Sequence, residues 1–363
     1  MQKQNPNSTQ IKAGVKLFIC ILLLAAISCS PLRQIHKIQS DKRIKHTENL
    51  NFIDSKVVTQ WWYYDCVFED GSVLVILFTP YQWWDEVEKM PTNNSLFYLS
   101  YMNSNGEIIS QRKVFNVSKI QYDTNSIKSP CFEIIKAHEN NCRNYTVNFF
   151  LDSIKGSINI CSNEKGFSPF PRGSMSSTLT RLFKPKTKGV AYRYAAHVTD
   201  GQVNCSLDLN QKKLELTGKA YLEQGWFTGS PDQMGNGWTW FHFVSKNINI
   251  FGTAEQFFCL EKQGTRLIGG LDKECSVSEM TYSSKYKNLL IRGNLSFHTN
   301  KLSFNLCPVG NTATPIIVMP SIDTDQLWGS VLQETAIKFR YKKNELNEEG
   351  VMFLETCRMK KKE

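Results

Sequence analysis

The chain has 363 residues, of which 41% are hydrophobic and 21% are charged. This balance is typical of a globular protein that is long enough for two domains. The formal net charge is +10, partly carried by basic residues near both termini, and no long basic run indicates a nucleic-acid partner. The charge is compatible with weak attraction to an anionic membrane face, although an ordinary solvated basic surface explains it better.

Residues 1–30 are predicted to form an export segment of the signal or lipoprotein type. Lys12 and Lys16 precede an apolar run over 17–28, which is short for a bilayer span of about 20 residues. Ala26-Ile27-Ser28-Cys29 resembles a bacterial lipobox with Cys29 as the lipidated residue. We therefore expect an exported cell-envelope protein that is tethered to the membrane at its N-terminus. A cleaved soluble form and an uncleaved anchor are the alternatives.

Beyond residue 50 the sequence reads as short strands separated by turns. Apolar and β-branched runs bounded by turn residues predict strands at 57–68, 73–78, 95–102, 107–114, 145–151, 157–162, 202–209, 213–216, 265–271, 288–297 and 302–306. Residues 83–90 are compatible with a helical turn, and no long amphipathic helix is predicted. Many short strands at regular spacing indicate an all-β barrel or sandwich.

A segment rich in Ser, Pro, Thr and Lys separates two groups of strands. It covers 166–188 and is predicted to be a long loop or linker. We expect an N-terminal barrel over 46–165 plus part of 190–217, and a C-terminal barrel over 218–360. Each would be the size of one small β-barrel.

The cysteines do not form a recognisable framework. The chain has eleven, at irregular spacings and without a CxxC pair, so no metal site is predicted. Most are expected to be small buried apolar residues. One or two disulfides, such as Cys131 with Cys142, are compatible with export.

Three segments combine large aromatic side chains with a carboxylate or a histidine. They are Gln60-Trp61-Trp62-Tyr63-Tyr64-Asp65, Gly218-Lys219-Ala220-Tyr221-Leu222-Glu223-Gln224-Gly225-Trp226 and Trp238-Thr239-Trp240-Phe241-His242. Aromatic rings can stack on an apolar ligand. A carboxyl group buried among them would have a raised pKa and could serve as a proton donor.

These blocks carry a resemblance to a known family. Trp61-Trp62-Tyr63-Tyr64-Asp65 resembles the Glu-Trp-Trp-Tyr-Phe-Asp opening of the carotenoid 1,2-hydratase (hydroxyneurosporene synthase) family, and the block from Gly218 to Trp226 resembles its Gly-x-Gly-Tyr-x-Asp-His-Asn-Trp-Gly block. Gly350-Val351-Met352-Phe353-Leu354-Glu355 resembles its closing strand. The resemblance extends to AttH-type proteins and fungal Diels–Alderases.

The resemblance implies two tandem lipocalin-like barrels and an active-site acid in the second block. Tyr221 and Glu223 take the positions of the family's Tyr and Asp, and are the candidate catalytic residues. The chain departs from the pattern at Gln60, which replaces Glu, and at Gln224 and Gly225, which replace His and Asn. The departures at Gln224 and Gly225 remove a polar partner of the acid, whereas the aromatic residues that would fill the barrels are retained.

The remaining candidates are predicted to bind substrate. On strands, Trp61, Tyr63 and Asp65 share one face, as do Trp240 and His242; the predicted set is Trp61, Tyr63, Asp65, His197, Trp226, Trp240 and His242. Asp65 could instead pair with Arg or Lys in the seam between the barrels, which we favour. Each histidine could instead be a satisfied structural group, which is the commoner case.

The sequence therefore favours an exported protein that binds a large apolar isoprenoid, polyene or lipid and requires no cofactor or metal. In the enzymatic version it hydrates or cyclises its ligand by protonating a double bond. A non-catalytic lipid carrier or envelope chaperone is the alternative, and a structural surface protein with filled barrels is a third. No nucleotide or phosphate-binding motif is present.

Overall fold

The computed structural model describes most of the chain from residue 50 onward. The described residues are 50, 52–55, 58–81, 93–139, 142–163, 166–167, 192–228, 237–253, 257–262, 265–270, 280–282, 289–291, 295–298, 303–309, 312–313, 315–319 and 330–359. The predicted export segment, the helical turn at 83–90 and the linker beyond residue 167 lie outside these ranges.

The described chain consists of β-strands, with one short 3-10 turn at Val117–Lys119. The first eleven strands are β1 (Val58–Phe68), β2 (Val73–Thr79), β3 (Asn94–Met102), β4 (Ile108–Asn116), β5 (Gln121–Tyr122), β6 (Ser126–Lys128), β7 (Phe132–Glu139), β8 (Cys142–Phe150), β9 (Ile154–Ser162), β10 (Tyr192–Leu209) and β11 (Lys212–Thr228). The others are β12 (Gly237–Ser245), β13 (Ile248–Thr253), β14 (Phe257–Lys262), β15 (Thr265–Gly270), β16 (Met280–Tyr282), β17 (Leu289–Ile291), β18 (Leu295–His298), β19 (Ser303–Pro308), β20 (Thr312–Ala313), β21 (Pro315–Met319), β22 (Ser330–Lys343) and β23 (Leu346–Met359).

The strands form two large antiparallel sheets and one small one. The first sheet has the order β4-β3-β2-β1-β11-β10-β9-β8-β7-β6-β5. The second has the order β15-β14-β13-β12-β23-β22-β19-β18, with β21 also paired to β22. The small sheet is β16-β17-β20. The all-β prediction is confirmed.

The first sheet curls around its own hydrophobic core. Phe132 on β7 lies 4.5 Å, centroid to centroid, from both Phe78 on β2 and Phe97 on β3. Gln111 on β4 exchanges hydrogen bonds with Ser153 in the β8–β9 turn. Strands from opposite ends of the sheet order thus meet, and we call the enclosed apolar cluster the first-sheet core.

The strands in the middle of the first sheet are buried on both faces. Every residue of β2 is buried, with Leu74, Ile76 and Phe78 in the first-sheet core and Val73, Val75 and Leu77 on the other face. A strand covered on both sides needs apolar residues at successive positions, which explains the continuous run over 73–78.

A second aromatic layer lies between the two large sheets. It contains Tyr63, Tyr194 and Tyr221 from the first sheet, and Trp240, Phe251 and Phe353 from the second. We call this cluster the intersheet layer. Trp240 contacts Tyr63 edge-on at a centroid distance of 5.1 Å, so the two sheets pack through direct ring contacts.

Strand β11 belongs to the first sheet over its whole length. It pairs with β1 from Phe68↔Gly218 to Val58↔Thr228, and so continues through residue 218, where we placed the start of the C-terminal barrel. The division of the chain into two domains stays a prediction, but the strand carrying Glu223 pairs with N-terminal strands.

One disulfide joins Cys142 and Cys161 on the neighbouring strands β8 and β9. The example pairing of Cys131 with Cys142 was therefore wrong. Cys131 is a free thiol, as are Cys66 and Cys205, and all three are buried, which agrees with their expected role as small apolar residues. In the part of the chain that the structure describes, no helix is long and apolar enough to cross a bilayer.

Candidate functional site

Glu223 is buried in the intersheet layer, in the middle of β11. It lies opposite Tyr63 on β1 and Ala196 on β10, and is 6% exposed. Trp61 Nε1 donates a hydrogen bond to its Oε1 at 2.9 Å, and the Tyr221 hydroxyl donates to its Oε2 at 2.8 Å. Both carboxyl oxygens are thus held by aromatic side chains.

A second phenol extends this network. The Tyr194 and Tyr221 hydroxyl groups are hydrogen-bonded to each other, and Trp240 Nε1 donates to the Tyr194 hydroxyl at 3.4 Å. Burial, followed by the charge of Glu223, raises the pKa of both phenols well above its usual value. Both therefore stay protonated and can donate.

Burial makes Glu223 retain its proton to a higher pH than an ordinary glutamate does. Desolvation raises its pKa above 4.5, and the negative charge of Asp65 adds to this. Hydrogen bonds from Tyr194, Trp61 and Tyr221 act in the opposite direction without cancelling the effect of burial. The acid form is favoured because its surroundings disfavour an anion.

The indole of Trp61 determines which oxygen carries the proton. An indole N–H is only a donor, so Oε1, which it contacts, must accept. A phenol hydroxyl can donate or accept, and Tyr221 contacts Oε2. We therefore assign the proton of the neutral acid to Oε2, where the Tyr221 hydroxyl accepts from it; the same hydroxyl donates to Oε2 when Glu223 is ionised.

Gly225 makes room for the Trp61 ring. The two residues are opposite each other in the β1–β11 register, and a Cβ on Gly225 would lie 2.0 to 2.5 Å from three atoms of the indole. Real Cβ contacts are not that short, so the ring occupies the space that any side chain here would need. The departure at Gly225 from the family pattern thus permits the contact between Trp61 and Glu223.

The second buried acid, Asp65, lies in the same layer and pairs with a histidine. His242 Nδ1 lies 2.9 and 2.8 Å from the two Asp65 carboxyl oxygens, and both side chains are 1% exposed. The partner of Asp65 is His242, from the second sheet, rather than the Arg or Lys that we expected. Burial raises the pKa of Asp65, against the lowering effects of His242 and of a hydrogen bond with Tyr63.

The contact of His242 with Asn249 indicates which nitrogen of the imidazole carries a hydrogen. Asn249 Nδ2 donates to the Thr199 carbonyl oxygen, which fixes the amide so that Oδ1 faces His242 Nε2 at 2.9 Å. An amide oxygen only accepts, so Nε2 carries a hydrogen. The Asp65–His242 contact then holds one further proton, shared between the carboxyl group and Nδ1.

Two of the predicted site residues lie on the other face of the sheet. His197 Nε2 is 3.0 Å from Gln224 Oε1, and its ring contacts Tyr145 of the first-sheet core. Gln224 and Trp226 alternate with Glu223 along β11 and point away from it. The structure therefore brings Glu223 together with Trp61, Tyr63, Tyr221 and Trp240, but not with His197 or Trp226.

The half-buried Trp61 indicates where the intersheet layer approaches the surface. Trp61 and Trp226 have intermediate burial, whereas the neighbouring Trp62, Tyr63 and Glu223 are buried. Trp61 lies opposite Gly225, and Trp226 opposite Gln60, at the same end of the β1–β11 pair. A ligand reaching Glu223 from this end would meet the Trp61 indole.

Sequence reasoning missed Tyr194, Asn249 and the packing role of Gly225. The first two hold their partners across strand pairs that no local pattern specifies, whereas the Gln224-Gly225 departure was visible but was not connected to Trp61. Among the described residues, no group of three His, Cys, Asp or Glu side chains could hold a metal ion.

Two solved structures share this fold. A provisional AttH protein from Nitrosomonas europaea aligns over 82% of this chain and 91% of its own, with a TM-score of 0.54 and 12% sequence identity. Kievitone hydratase from Nectria haematococca aligns over 83% of this chain and 88% of its own, with a TM-score of 0.52 and 12% identity. No protein-family model and no curated protein sequence matches the chain. The predicted resemblance to the AttH-like type, with lipocalin-like barrels, is confirmed at the level of the fold.

Replacing Gly225 with Ala should destabilise the protein through Trp61. The added methyl group overlaps the indole, and we expect a loss of roughly 1–3 kcal/mol in the free energy of unfolding, measured by urea denaturation. In a Trp61→Ala background the same Gly225→Ala change should cost much less. An equal cost in both backgrounds would show that the overlap with Trp61 is not the cause.

Removing His242 should destabilise the protein more than removing an exposed charge. His242→Phe leaves Asp65 buried without its partner, and we expect a loss of about 3–5 kcal/mol in urea unfolding. The double variant Asp65→Leu/His242→Phe should lose less than the sum of its single changes. As a control, Lys219→Met breaks the partly exposed pair with Asp200 and should cost at most about 1 kcal/mol. Additive losses at Asp65 and His242 would contradict the pairing.

Proposed function

We propose that the protein binds an apolar, unsaturated small molecule at the intersheet layer, and that Glu223 donates a proton to a carbon–carbon double bond. The observation that carries this proposal is the Glu223 carboxyl group, which is buried among two indoles and two phenols with its pKa raised. A neutral carboxylic acid in apolar surroundings is the kind of group that protonates an alkene without a cofactor.

The reaction can be written with this chain's own residues. The O–H bond at Oε2 breaks, its proton forms a new C–H bond on the alkene, and a carbocation remains on the neighbouring carbon. Water attacks the cation, and its surplus proton returns to the Glu223 carboxylate. The net change is the addition of one water molecule, and the acid is restored.

The surrounding rings are suited to the cationic intermediate. Tyr221 and Trp240 lie 5.7 Å apart, centroid to centroid, and Trp61 contacts the acid itself. The negative faces of aromatic rings stabilise a nearby positive charge. If a second double bond of the ligand captured the cation in place of water, the same acid would drive a cyclisation.

The ligand would contact Trp61, Tyr63 and Trp240, since these rings surround Glu223. Asp65 and His242 bind each other, so we assign them to holding the two sheets together rather than to substrate. The fold shared with kievitone hydratase, whose name states a hydration reaction, supports hydration over other chemistry.

A non-catalytic carrier is the alternative, and one observation favours it. Both oxygens of Glu223 already have hydrogen-bond partners in the protein, and such a carboxyl group could serve only to shape the layer. The two functions differ in whether the proton of Glu223 reaches the ligand.

Replacing Glu223 with Gln should strongly slow proton transfer while leaving the fold intact. With squalene as an isoprenoid probe in D₂O, we expect wild-type protein to introduce C–D bonds, detected by mass spectrometry. Glu223→Gln should reduce this rate by about 100-fold or more. Glu215 is an exposed residue on the same strand, so Glu215→Gln is the matched control and should retain the wild-type rate. Squalene binding by wild type without any deuterium incorporation would favour the carrier.

The raised pKa of Glu223 determines how the stability of the protein should change with pH. The pKa of Glu223 is raised in the folded state, so its stabilising contribution is fully present below pH 4.5, the ordinary value, and is lost as pH rises through the folded-state pKa. The stability of wild type relative to Glu223→Gln in urea unfolding should fall over that range, and proton transfer should fall with it. A difference that grows with pH would mean that the fold favours the ionised form.

We also propose that the protein is exported and tethered through lipid on Cys29. The Cys142–Cys161 disulfide supports an oxidising compartment. In bacterial cells, wild type should be found in the membrane fraction and should incorporate labelled fatty acid, whereas Cys29→Ser should incorporate none. Cys20→Ser, within the apolar run, is the control. Labelling of Cys29→Ser at the wild-type level would exclude this lipidation site.

A further inference from the structure

A second group of buried polar side chains lies on the opposite face of β1 and β11 from Glu223. It consists of Trp62, Tyr64, Tyr145, His197 and Gln224, and we call it the inner polar cluster. Trp62, Tyr64 and Tyr145 belong to the first-sheet core, and all five side chains are buried. The function proposed for Glu223 does not use them.

Contacts connect the members of this cluster. The Tyr145 and His197 rings meet edge-on with centroids 6.1 Å apart, and His197 Nε2 lies 3.0 Å from Gln224 Oε1. Gln224 is the register partner of Trp62. The phenols of Tyr64 and Tyr145 interact electrostatically, so the cluster extends from β1 across the interior to β8.

Two of its hydrogen-bonding groups have no hydrogen-bond partner among the described residues. Trp62 Nε1 and the Tyr64 hydroxyl are fully buried. Buried polar atoms in native proteins almost always have a partner in the protein, in water or in a ligand. An indole N–H can only donate, and burial raises the pKa of Tyr64, which keeps its hydrogen in place. The matching partner must therefore offer an acceptor.

The surroundings indicate what kind of molecule carries that acceptor. Trp62 stacks on Phe78 at 5.2 Å, and Phe78 contacts Phe132 at 4.5 Å, so the donors border an apolar interior. Arg143 lies two residues before Tyr145 on β8 and is also buried. Alternate residues of a strand share a face, so Arg143 adds positive charge at the edge of the cluster.

We propose that the first-sheet core contains a second binding site, in which Trp62 and Tyr64 donate hydrogen bonds to the carboxylate of a short-chain amphiphile whose apolar tail packs against Phe78 and Phe132. The site lies on the other side of the sheet from Glu223 and does not depend on the function proposed there. It gives the orphaned donors an acceptor and places the tail among aromatic rings.

Octanoate and octylammonium separate acceptor recognition from simple apolar binding. They share one chain length, but the first offers acceptors and the second only donors. Titrating each into the protein while recording indole N–H signals, with Trp62 assigned from Trp62→Phe, should shift the Trp62 signal with octanoate alone. Equal shifts with both probes would mean that the head group is not recognised.

Tyr64→Phe and Tyr101→Phe form a matched pair of variants. Both residues lie in the first-sheet core, but the Tyr101 hydroxyl has a hydrogen bond with Ser72. Tyr64→Phe should raise the Kd for octanoate about tenfold, the loss of one hydrogen bond, with no loss of stability in the unliganded protein. Tyr101→Phe should leave that Kd unchanged, and so should Glu223→Gln.

Three results would overturn the proposal. One is octanoate affinity that is unchanged in Tyr64→Phe. Another is a loss of octanoate binding in Glu223→Gln, which would place the probe in the intersheet layer. The third is a crystal structure grown with octanoate in which an ordered water alone contacts Trp62 Nε1 and the Tyr64 hydroxyl. Failure of proton transfer at Glu223 would leave this site unaffected, so the two proposals can fail separately.

Discussion

The antiparallel register of β1 with β11 is the constraint on which the candidate site depends. It places Trp61 opposite Gly225 and Tyr63 opposite Glu223. With this register the indole lies over the glycine and reaches the carboxyl group. A shift of β11 by one residue would exchange the two faces of that strand, and Glu223 would then lie in the first-sheet core. Because both faces are buried, apolar packing on each side holds the register in place.

The two buried acids of the intersheet layer have different partners and therefore different roles. Asp65 has a basic partner in His242, and their shared proton keeps the pair neutral overall. Glu223 is surrounded by indole and phenol donors. These neutral groups stabilise a carboxylate anion less than a positively charged partner does. Unequal environments of this kind separate the protonation of neighbouring carboxyl groups. Of the two, Glu223 is therefore the acid that we propose as the proton donor.

Local patterns in the sequence predicted the all-β class, most of the first-sheet strands and which residues share a face, but they missed β7, β13 and β22 and predicted only short parts of β10 and β11. Alternation correctly placed Tyr221 with Glu223, and Trp240 with His242. It could not specify the pairing of β10 with β11, where a register irregularity between Ala196 and Val198 adjoins His197. The contact of His242 with Asp65 spans 177 positions of sequence. Such contacts depend on how the two sheets pack, and local patterns in a single sequence do not specify that packing.

The continuity of β11 through residue 218 also bears on how this protein can be divided. A fragment ending there would lack the strand that completes the middle of the first sheet, and the remainder would carry Glu223 without the β1 residues that cover it. His242, from the second sheet, would likewise be separated from Asp65. The two halves are consequently not interchangeable modules. A gene fusion or truncation that splits the chain at this point would remove the contacts that surround Glu223 and those that surround Asp65 at the same time.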